Sequence, residues 1–394
     1  MDKSGKHRRE LPRLAVFGIA FAVALALVFA IVPQDFDTFE RVVLAMFTAL
    51  TTLFFGPYVF VAGLTGGFLG DSVSWRWLVA MIPLYLAHIA FLSVIFRRTT
   101  QWRRFGKYAE VARRSVVALM AVVSAAAIWF ELPQIGKYEV VCDAAKLGNR
   151  EIRLAVVTDL HSCIYGESQS GLIKAVSDAK PDALLLVGDI FDDRFSDANA
   201  RTFISHFIPL MPCIYVTGNH EYWSDHLDEK LRWLWKAGVI TLAGDCKTIN
   251  LNGVDIDFCG VDDPTCIYDG GWLEELDRAY SQSDPSHLRI LLSHRPEYDW
   301  AFGERDFDLV VSGHLHGGQW RIPLANIGVF GPEGNRFFPK FTCGMYSLPN
   351  GSRLALSRGL AREAVPLPRF FNHPELMVIV LQSHNLTIPC RPGY

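Results

Sequence analysis

Five short stretches of this sequence carry side chains able to hold metal ions and move protons. They are Asp159-Leu160-His161, Gly188-Asp189-Ile190-Phe191-Asp192, Gly218-Asn219-His220-Glu221, His294, and Gly313-His314-Leu315-His316. A single histidine at a strand end is most often a satisfied loop residue. Five such stretches between residues 159 and 316 are hard to assign to chance. Carboxylate, amide and imidazole donors, with no thiolate among them, suit ions such as Mn, Fe or Zn. A carboxylate has two oxygens, so Asp189 could bridge two ions.

The elements that must position these residues can be read from pattern. The run Ala183–Val187 is wholly apolar and reads as a strand buried on both faces. Gly188 ends it by allowing a sharp turn. Asp189 then falls at the strand's carboxyl end, where open α/β sheets place their ligands. The runs 152–158, 213–216, 289–293 and 308–312 also read as strands and deliver the other stretches in the same way. Further strands are expected at 256–260, 341–346, 353–357 and 376–381. Helices are expected at 171–179, 199–208 and 228–237, the last stopped by Gly238. Trp233 and Trp235 on that helix read as packing residues. The alternation gives an α/β catalytic domain over residues 151–385, with a tail at 386–394.

Ahead of it the composition changes. The 394 residues are 50% hydrophobic with mean hydropathy +0.19, high for a soluble protein, and the excess lies before about residue 135. After a basic start, Leu14–Val32 is free of charge and meets the roughly 20-residue requirement for a membrane span. Further apolar segments are Val42–Gly70, broken by Gly56-Pro57, then Trp77–Phe96 and Ser115–Phe130. A membrane domain of three to four transmembrane helices over 1–135 and a linker over 136–150 are expected. The strongly basic loop Arg97–Arg114 should be cytoplasmic, which sends the chain outward after the fourth segment. The expected location is a bacterial inner or plasma membrane with an extracytoplasmic catalytic domain. Four crossings from a cytoplasmic start would instead leave that domain inside. A net charge of -3 carries no nucleic-acid signal. The eight cysteines all follow the apolar part and lack CxxC spacing. They allow disulfides in an oxidising compartment, or scattered buried thiols.

Taken in order, the five stretches resemble the calcineurin-like metallophosphoesterase superfamily, whose pattern is D-x-H, G-D-x-x-D, G-N-H-[DE], a lone His and G-H-x-H. Gly317-Gly318-Gln319, Phe337-Phe338-Pro339-Lys340 and Ser357-Arg358-Gly359-Leu360 are similar to its YkuE-like membrane-associated subgroup. The resemblance covers about residues 150–385 and leaves the membrane half outside. It implies a four-layer αββα sandwich with two divalent metal ions (Mn, Fe or Zn) between the sheets. One ion would take Asp159, His161, Asp189 and His316; the other would take Asp189, Asn219, His294 and His314. A shared, acidified water would attack phosphorus in line. His220 would protonate the leaving oxygen, oriented by Asp192. One departure is Asp192-Asp193-Arg194, where some relatives have Asp-Arg directly.

The function so implied is a membrane-anchored phosphoesterase cleaving a phosphate ester or pyrophosphate bond. A substrate at the lipid bilayer, lipid-linked or from the envelope, follows from the anchor. The alternatives are a phosphodiesterase or phosphatase for soluble nucleotides, and a metal-binding membrane scaffold. Glu221, Arg295 and Gln319 border the motifs as candidates for substrate contact or structural hydrogen bonding. No residue is assigned to substrate binding.

Overall fold

A computed structural model describes residues 133–266, 271–322, 325, 327–331, 337–362, 369 and 371–383. The expected membrane segments, and the tail 386–394, lie outside these. Among the described residues no helix is long and apolar enough to cross a membrane. All of them belong to the second of the two units into which the chain divides, Phe130–Tyr394.

Two mixed six-stranded sheets form the frame. The first contains, in spatial order, β1 (Gln134–Val141), β14 (Glu375–Gln382), β2 (Ile152–Val157), β3 (Ala183–Val187), β4 (Cys213–Val216) and β5 (Ile240–Thr241). The second contains β12 (Gly344–Ser347), β13 (Arg353–Leu356), β9 (Leu309–Ser312), β8 (Leu288–Leu292), β7 (Val254–Gly260) and β6 (Asp245–Leu251). Neighbours β2, β3, β4 and β5 are parallel, as are β7, β8 and β9. Their carboxyl ends therefore point the same way within each sheet.

The side-chain period of two sorts each strand between two cores. Leu185, Val187, Ile214 and Val216 of the first sheet share one buried cluster with Ile256, Phe258, Ile290 and Val311 of the second. The intervening Leu184 and Leu186 turn outward onto helices Ser170–Ala179 and Ala198–Phe207, through Leu172, Val176, Phe203 and Phe207. On the far side, Leu291 and Val310 meet helix Gly271–Ser281 through Trp272, Leu276 and Ala279. The layers run helices, sheet, sheet, helices. This explains why β3 has no polar alternation: both of its faces are covered.

Three expectations need correction. Residues expected as a linker form β1, paired in parallel with β14 from Gln134↔Glu375 to Val141↔Gln382. Tyr138 Oη donates to Glu375 Oε1 at 2.8 Å across that pair. The strand is a sheet edge and mostly exposed, so it lacks the apolar run that marks β3. The helix at 271–281, not expected from the sequence, buries residues at i, i+4 and i+7. Trp233 does pack, edge-on to Phe191 at 6.3 Å between ring centroids, but Trp235 is 72% exposed. Cys246 and Cys259 face each other across β6 and β7 and are joined by a disulfide. Cys142, Cys163, Cys213 and Cys343 form no disulfide.

The inter-sheet core fixes the spacing of everything mounted on it. Leu185→Ala empties a fully buried position and is expected to destabilise the fold by about 2–5 kcal/mol. Thermal or denaturant unfolding of the variant would read this out. An unchanged midpoint would mean that the two sheets close over the gap.

Candidate metal centre

Every sequence-predicted site residue sits just past the carboxyl end of a strand. Asp159 and His161 follow β2, Asp189 and Asp192 follow β3, and Asn219 and His220 follow β4. His294 follows β8, and His314 and His316 follow β9. Two facing sheets thus contribute to one cluster. Candidate donor atoms of Asp159, His161 and His316 lie within 4.8 Å of one another, and so do those of Asp189, His294 and His314. Six of the seven predicted ligands are thus brought together, and the seventh, Asn219, is buried just past β4; of the seven, six are no more than 2% exposed.

The backbone is bent to achieve this. Asp159, His161, Asp189, His314 and His316 have φ between 46° and 70°, a left-handed conformation that non-glycine residues seldom adopt. Such strain persists only where surrounding contacts over-determine it. Here they do. The backbone N–H of His314 donates to both oxygens of Asp159, at 3.0 and 3.1 Å. The N–H of His220 donates to Asp189 Oδ1 at 2.9 Å. Gly188 and Gly218 permit close approach, since a Cβ on the first would strike the His294 ring and one on the second would strike Asp189.

Glu221 organises the turns. Its carboxylate, wholly buried, accepts from the backbone N–H of Asp189, Ile190, Phe191 and Gly218 at 2.7–2.9 Å. It therefore binds the β3 turn to the β4 turn rather than facing substrate. Arg295 is also buried. Its Nε donates to Asp263 Oδ2 at 2.8 Å, and its Nη1 lies 3.3 Å from His314 Nε2. Gln319 is 7% exposed behind the last motif.

The imidazoles are aimed by second partners. His294 Nδ1 donates to the Val187 carbonyl at 2.9 Å, which turns Nε2 toward the cluster. His161 Nδ1 is 2.9 Å from Asp192 Oδ2, and its Nε2 is likewise left facing inward. His220 is different: its Nδ1 lies 2.7 Å from Asp193 Oδ1 and 3.6 Å from Asp192 Oδ2. Asp192 is thus shared, closest to His161, and Asp193 is the nearer carboxylate to His220. The adjacent Asp193 of this sequence was the available signal for that exchange.

The electrostatics are crowded. Burial pushes the Asp159 carboxyl up. Burial also opposes ionisation of Asp189, but His294, His220 and His161 outweigh it and hold that group well below the usual range. His294 is driven to about 10, because Asp189 and Asp159 overcome the burial that would lower it. Burial, then neighbouring positive groups, hold His314 and His316 well below an ordinary histidine. Asp192 is held at about 2, burial being outweighed by the His161 bond. Buried like and unlike charges compete here for too few protons. Divalent cations would replace those protons.

A direct observation supports that fit. The buried atoms His161 Nε2, Asn219 Oδ1, His294 Nε2 and His316 Nδ1 make no hydrogen bond. His294 Nε2 comes within 3.1 Å of Asp189 Oδ2 without hydrogen-bond geometry. Unpaired lone pairs in a dry site cost free energy unless a ligand takes them. Nitrogen and oxygen donors in this number suit divalent transition ions.

The fold and this site define a hydrolase acting on phosphoric esters. Residues 152–318 match the family model for calcineurin-like phosphoesterases. The chain is 30% identical over 237 residues to uncharacterized protein YpbG of Bacillus subtilis, covering 59% of this chain and 82% of that protein. It is 29% identical to the uncharacterized metallophosphoesterase YkuE of the same organism, covering 59% and 80%. A bovine transmembrane protein with metallophosphoesterase domain is 25% identical over 284 residues, and the chain spans only 61% of that protein's length. The chain belongs to the calcineurin-like metallophosphoesterase superfamily and to its YkuE-like subgroup. It is accordingly a metal-dependent enzyme.

Two outcomes follow. Glu221→Gln puts an amide N–H against backbone donors and is expected to cost about 1–3 kcal/mol per unsatisfied group, with loss of bound metal. Calorimetry with metal analysis would read both, and retention of metal at wild-type stability would remove Glu221 from this role. Imidazoles must be deprotonated to ligate, so metal content should fall as pH drops below the ordinary histidine range of about 6.5. Full retention below about pH 4, where carboxylates also take up protons, would exclude these groups as ligands.

Proposed function

We propose that this chain is a membrane-anchored phosphoesterase that hydrolyses a phosphate ester or pyrophosphate bond with two divalent cations. The observation that carries the reading is the convergence of Asp159, His161, Asp189, His294, His314 and His316 from two sheets into one cluster, with Asn219 buried just past the end of β4, next in sequence to His220. Asp159, His161, Asp189 and His316 would hold one ion. Asp189, Asn219, His294 and His314 would hold the other, with Asp189 between them. The ions are Mn, Fe or Zn by donor type. The charge-free segments before residue 135 support the anchor, with the catalytic domain following it. The Cys246–Cys259 disulfide and the basic Arg97–Arg114 loop favour an extracytoplasmic domain. A substrate carried by the bilayer or envelope follows from that location.

When bound, paired divalent cations supply positive charge to phosphoryl oxygens and lower the pKa of water in their shell. The protein's own residues supply position and protons. Val187 O, through His294, and Asp192, through His161, fix the imidazole faces. His220 holds the proton for the leaving oxygen. Its pKa is raised to about 9: burial would lower it, but Asp189, Asp193 and Asp192 prevail. Neutralising Asp189 with cations would remove part of that pull and bring His220 closer to neutral pH, where an acid catalyst is most effective. Asp193 accepts from His220 Nδ1, leaving Nε2 to face the substrate.

A soluble nucleotide is the second reading, and Trp223 is the observation that favours it. Its ring is 41% exposed and centred 4.7 Å from that of His220, a free aromatic face beside the leaving-group side. Turnover of nucleotide substrates above that of lipid-linked phosphates, lost in Trp223→Ala, would select it.

The central test is hydrolysis of bis-p-nitrophenyl phosphate by detergent-purified full chain with added Mn²⁺. His220→Ala should keep its metal and lose about 10²–10⁴-fold in kcat. Asp189→Asn should lose both metal and activity. A wild-type chain that binds no metal would overturn the reading. A further pair separates the two aspartates. Asp192→Asn should weaken metal binding by about 10–100-fold. Asp193→Asn should keep its metal but lose kcat, more on phenyl than on p-nitrophenyl esters, because the poorer leaving group needs the proton more. The reverse pattern would return Asp192 to the support of His220.

A further inference from the structure

The first sheet ends at β1, whose eight residues, Gln134–Val141, pair with β14 on one side only. Among the described residues no further strand completes that edge. The remaining ladder, β10 (Arg321–Ile322) with β11 (Ile327–Gly328), is a sheet of its own. An open edge is a template for another strand, and proteins guard such edges by shortness, proline or a bulge. The opposite edge of this sheet, β5, is guarded by its length of two residues. β1 has no such guard. It contains no proline and keeps one-to-one register with β14 from end to end.

The ladder decides which groups the edge offers. Gln134 N–H donates to Pro374 O at 2.8 Å, and Cys142 N–H donates to Gln382 O at 2.9 Å. Even-numbered residues thus turn their backbone groups toward β14. The alternation along a strand leaves those of Ile135, Lys137, Glu139 and Val141 facing outward. The same four residues carry the exposed side chains. Ile135 and Val141 are 52% and 51% exposed, and the side chains of Lys137 and Glu139 are 60% and 48% exposed. Between them, Tyr138 and Val140 pack into the inter-sheet core.

About Tyr138 this edge is complementary to itself. On either side of Tyr138, cationic Lys137 answers anionic Glu139, and apolar Ile135 answers apolar Val141. We propose that β1 is a homodimerisation strand: two copies of this chain pair antiparallel through residues 135–141, about a two-fold axis at Tyr138. Lys137 of each copy then lies opposite Glu139 of the other, and Ile135 opposite Val141. In all four pairs the backbone groups face the partner, so each exchanges two hydrogen bonds, about eight across the joint. Opposite charges and apolar residues directly across a ladder stabilise it, and like charges destabilise it. The register is selected accordingly. A slip of two residues sets Lys137 against Lys137, or Glu139 against Glu139. A slip of one sets outward backbone groups against inward ones. The pivot is fixed beforehand, because Tyr138 is bonded to Glu375 on β14. The interface uses the same strand on both copies, so it closes at a dimer and joins the two first sheets edge to edge.

The test is sedimentation equilibrium of the full chain in density-matched detergent over a range of concentrations. A reversible dimer is expected. Lys137→Glu sets like charges opposite each other on both sides of the axis and should weaken that dimer about 10-fold or more. Glu139→Lys should do the same. The chain carrying both substitutions again places opposite charges across the joint and should dimerise as the wild type does. The two single variants, mixed, should pair with each other. A misfolded chain would be repaired neither by a second charge reversal nor by mixing, so recovery separates a lost contact from a lost fold. A chain that stays monomeric at every concentration overturns the proposal, and the edge then belongs to a strand of other origin. A dimer that ignores both single reversals overturns it as well, because the contact then lies elsewhere. So does a dimer lost in the single variants and not regained in the double variant or the mixture.

Discussion

Two carboxylates and four imidazoles share one largely buried space, and the rest of the domain is arranged to keep them there. Asp159 and Asp189 would separate if free, because like charges in a poorly screened interior repel strongly. His294 relieves part of that repulsion by holding a proton, which is why it is driven to about 10 while Asp189 is held far below an ordinary carboxylate. Protons are a poor substitute for cations. They leave His161 Nε2, Asn219 Oδ1 and His316 Nδ1 with nothing to bond. The cluster is pre-organised for a ligand richer in charge, and its cost is met by backbone contacts that do not themselves take part in chemistry.

Glu221 shows how those contacts work. A buried carboxylate is expensive unless its oxygens are filled. Here four backbone N–H groups fill them. The same bonds hold the left-handed turn at Asp189 against the turn that presents Asn219 and His220. One side chain thus fixes the relation between Asp189, Asn219 and His220. Its position directly after His220 in sequence is economical, because one turn carries both that histidine and the clamp.

Much of this could be read from the sequence, for a physical reason. A strand buried on both faces must be apolar throughout, so its end is abrupt, and polar residues just beyond it stand out. Ala183–Val187 followed by Gly188 and Asp189 is such a boundary, and β2, β4, β8 and β9 repeat it. What escaped notice lacked that contrast. β1 is an exposed edge, and its partner β14 lies some 240 residues away in the chain. The helix at 271–281 has a readable stripe but few strong apolar residues between charged ones. That Asp193 lies nearer His220 than Asp192 does is a matter of side-chain direction within one turn, at which the adjacent Asp193 in the sequence only hints. Glu221 looked like a border residue because its partners are backbone groups, which leave no mark in sequence.

The candidate ligands are divided between the two sheets. Asp159, His161, Asp189 and Asn219 ride on the first sheet, and His294, His314 and His316 ride on the second. The gap they span is set by the inter-sheet cluster of Leu185, Val187, Ile290 and Val311, not by any loop. Interiors pack at crystal density and transmit a change of one methylene group. The spacing of the candidate ligands is therefore a property of the hydrophobic core. The turns that carry them are pinned to it: Glu221 and Val187 O on one sheet, and the bond from His314 N–H to Asp159 across the seam.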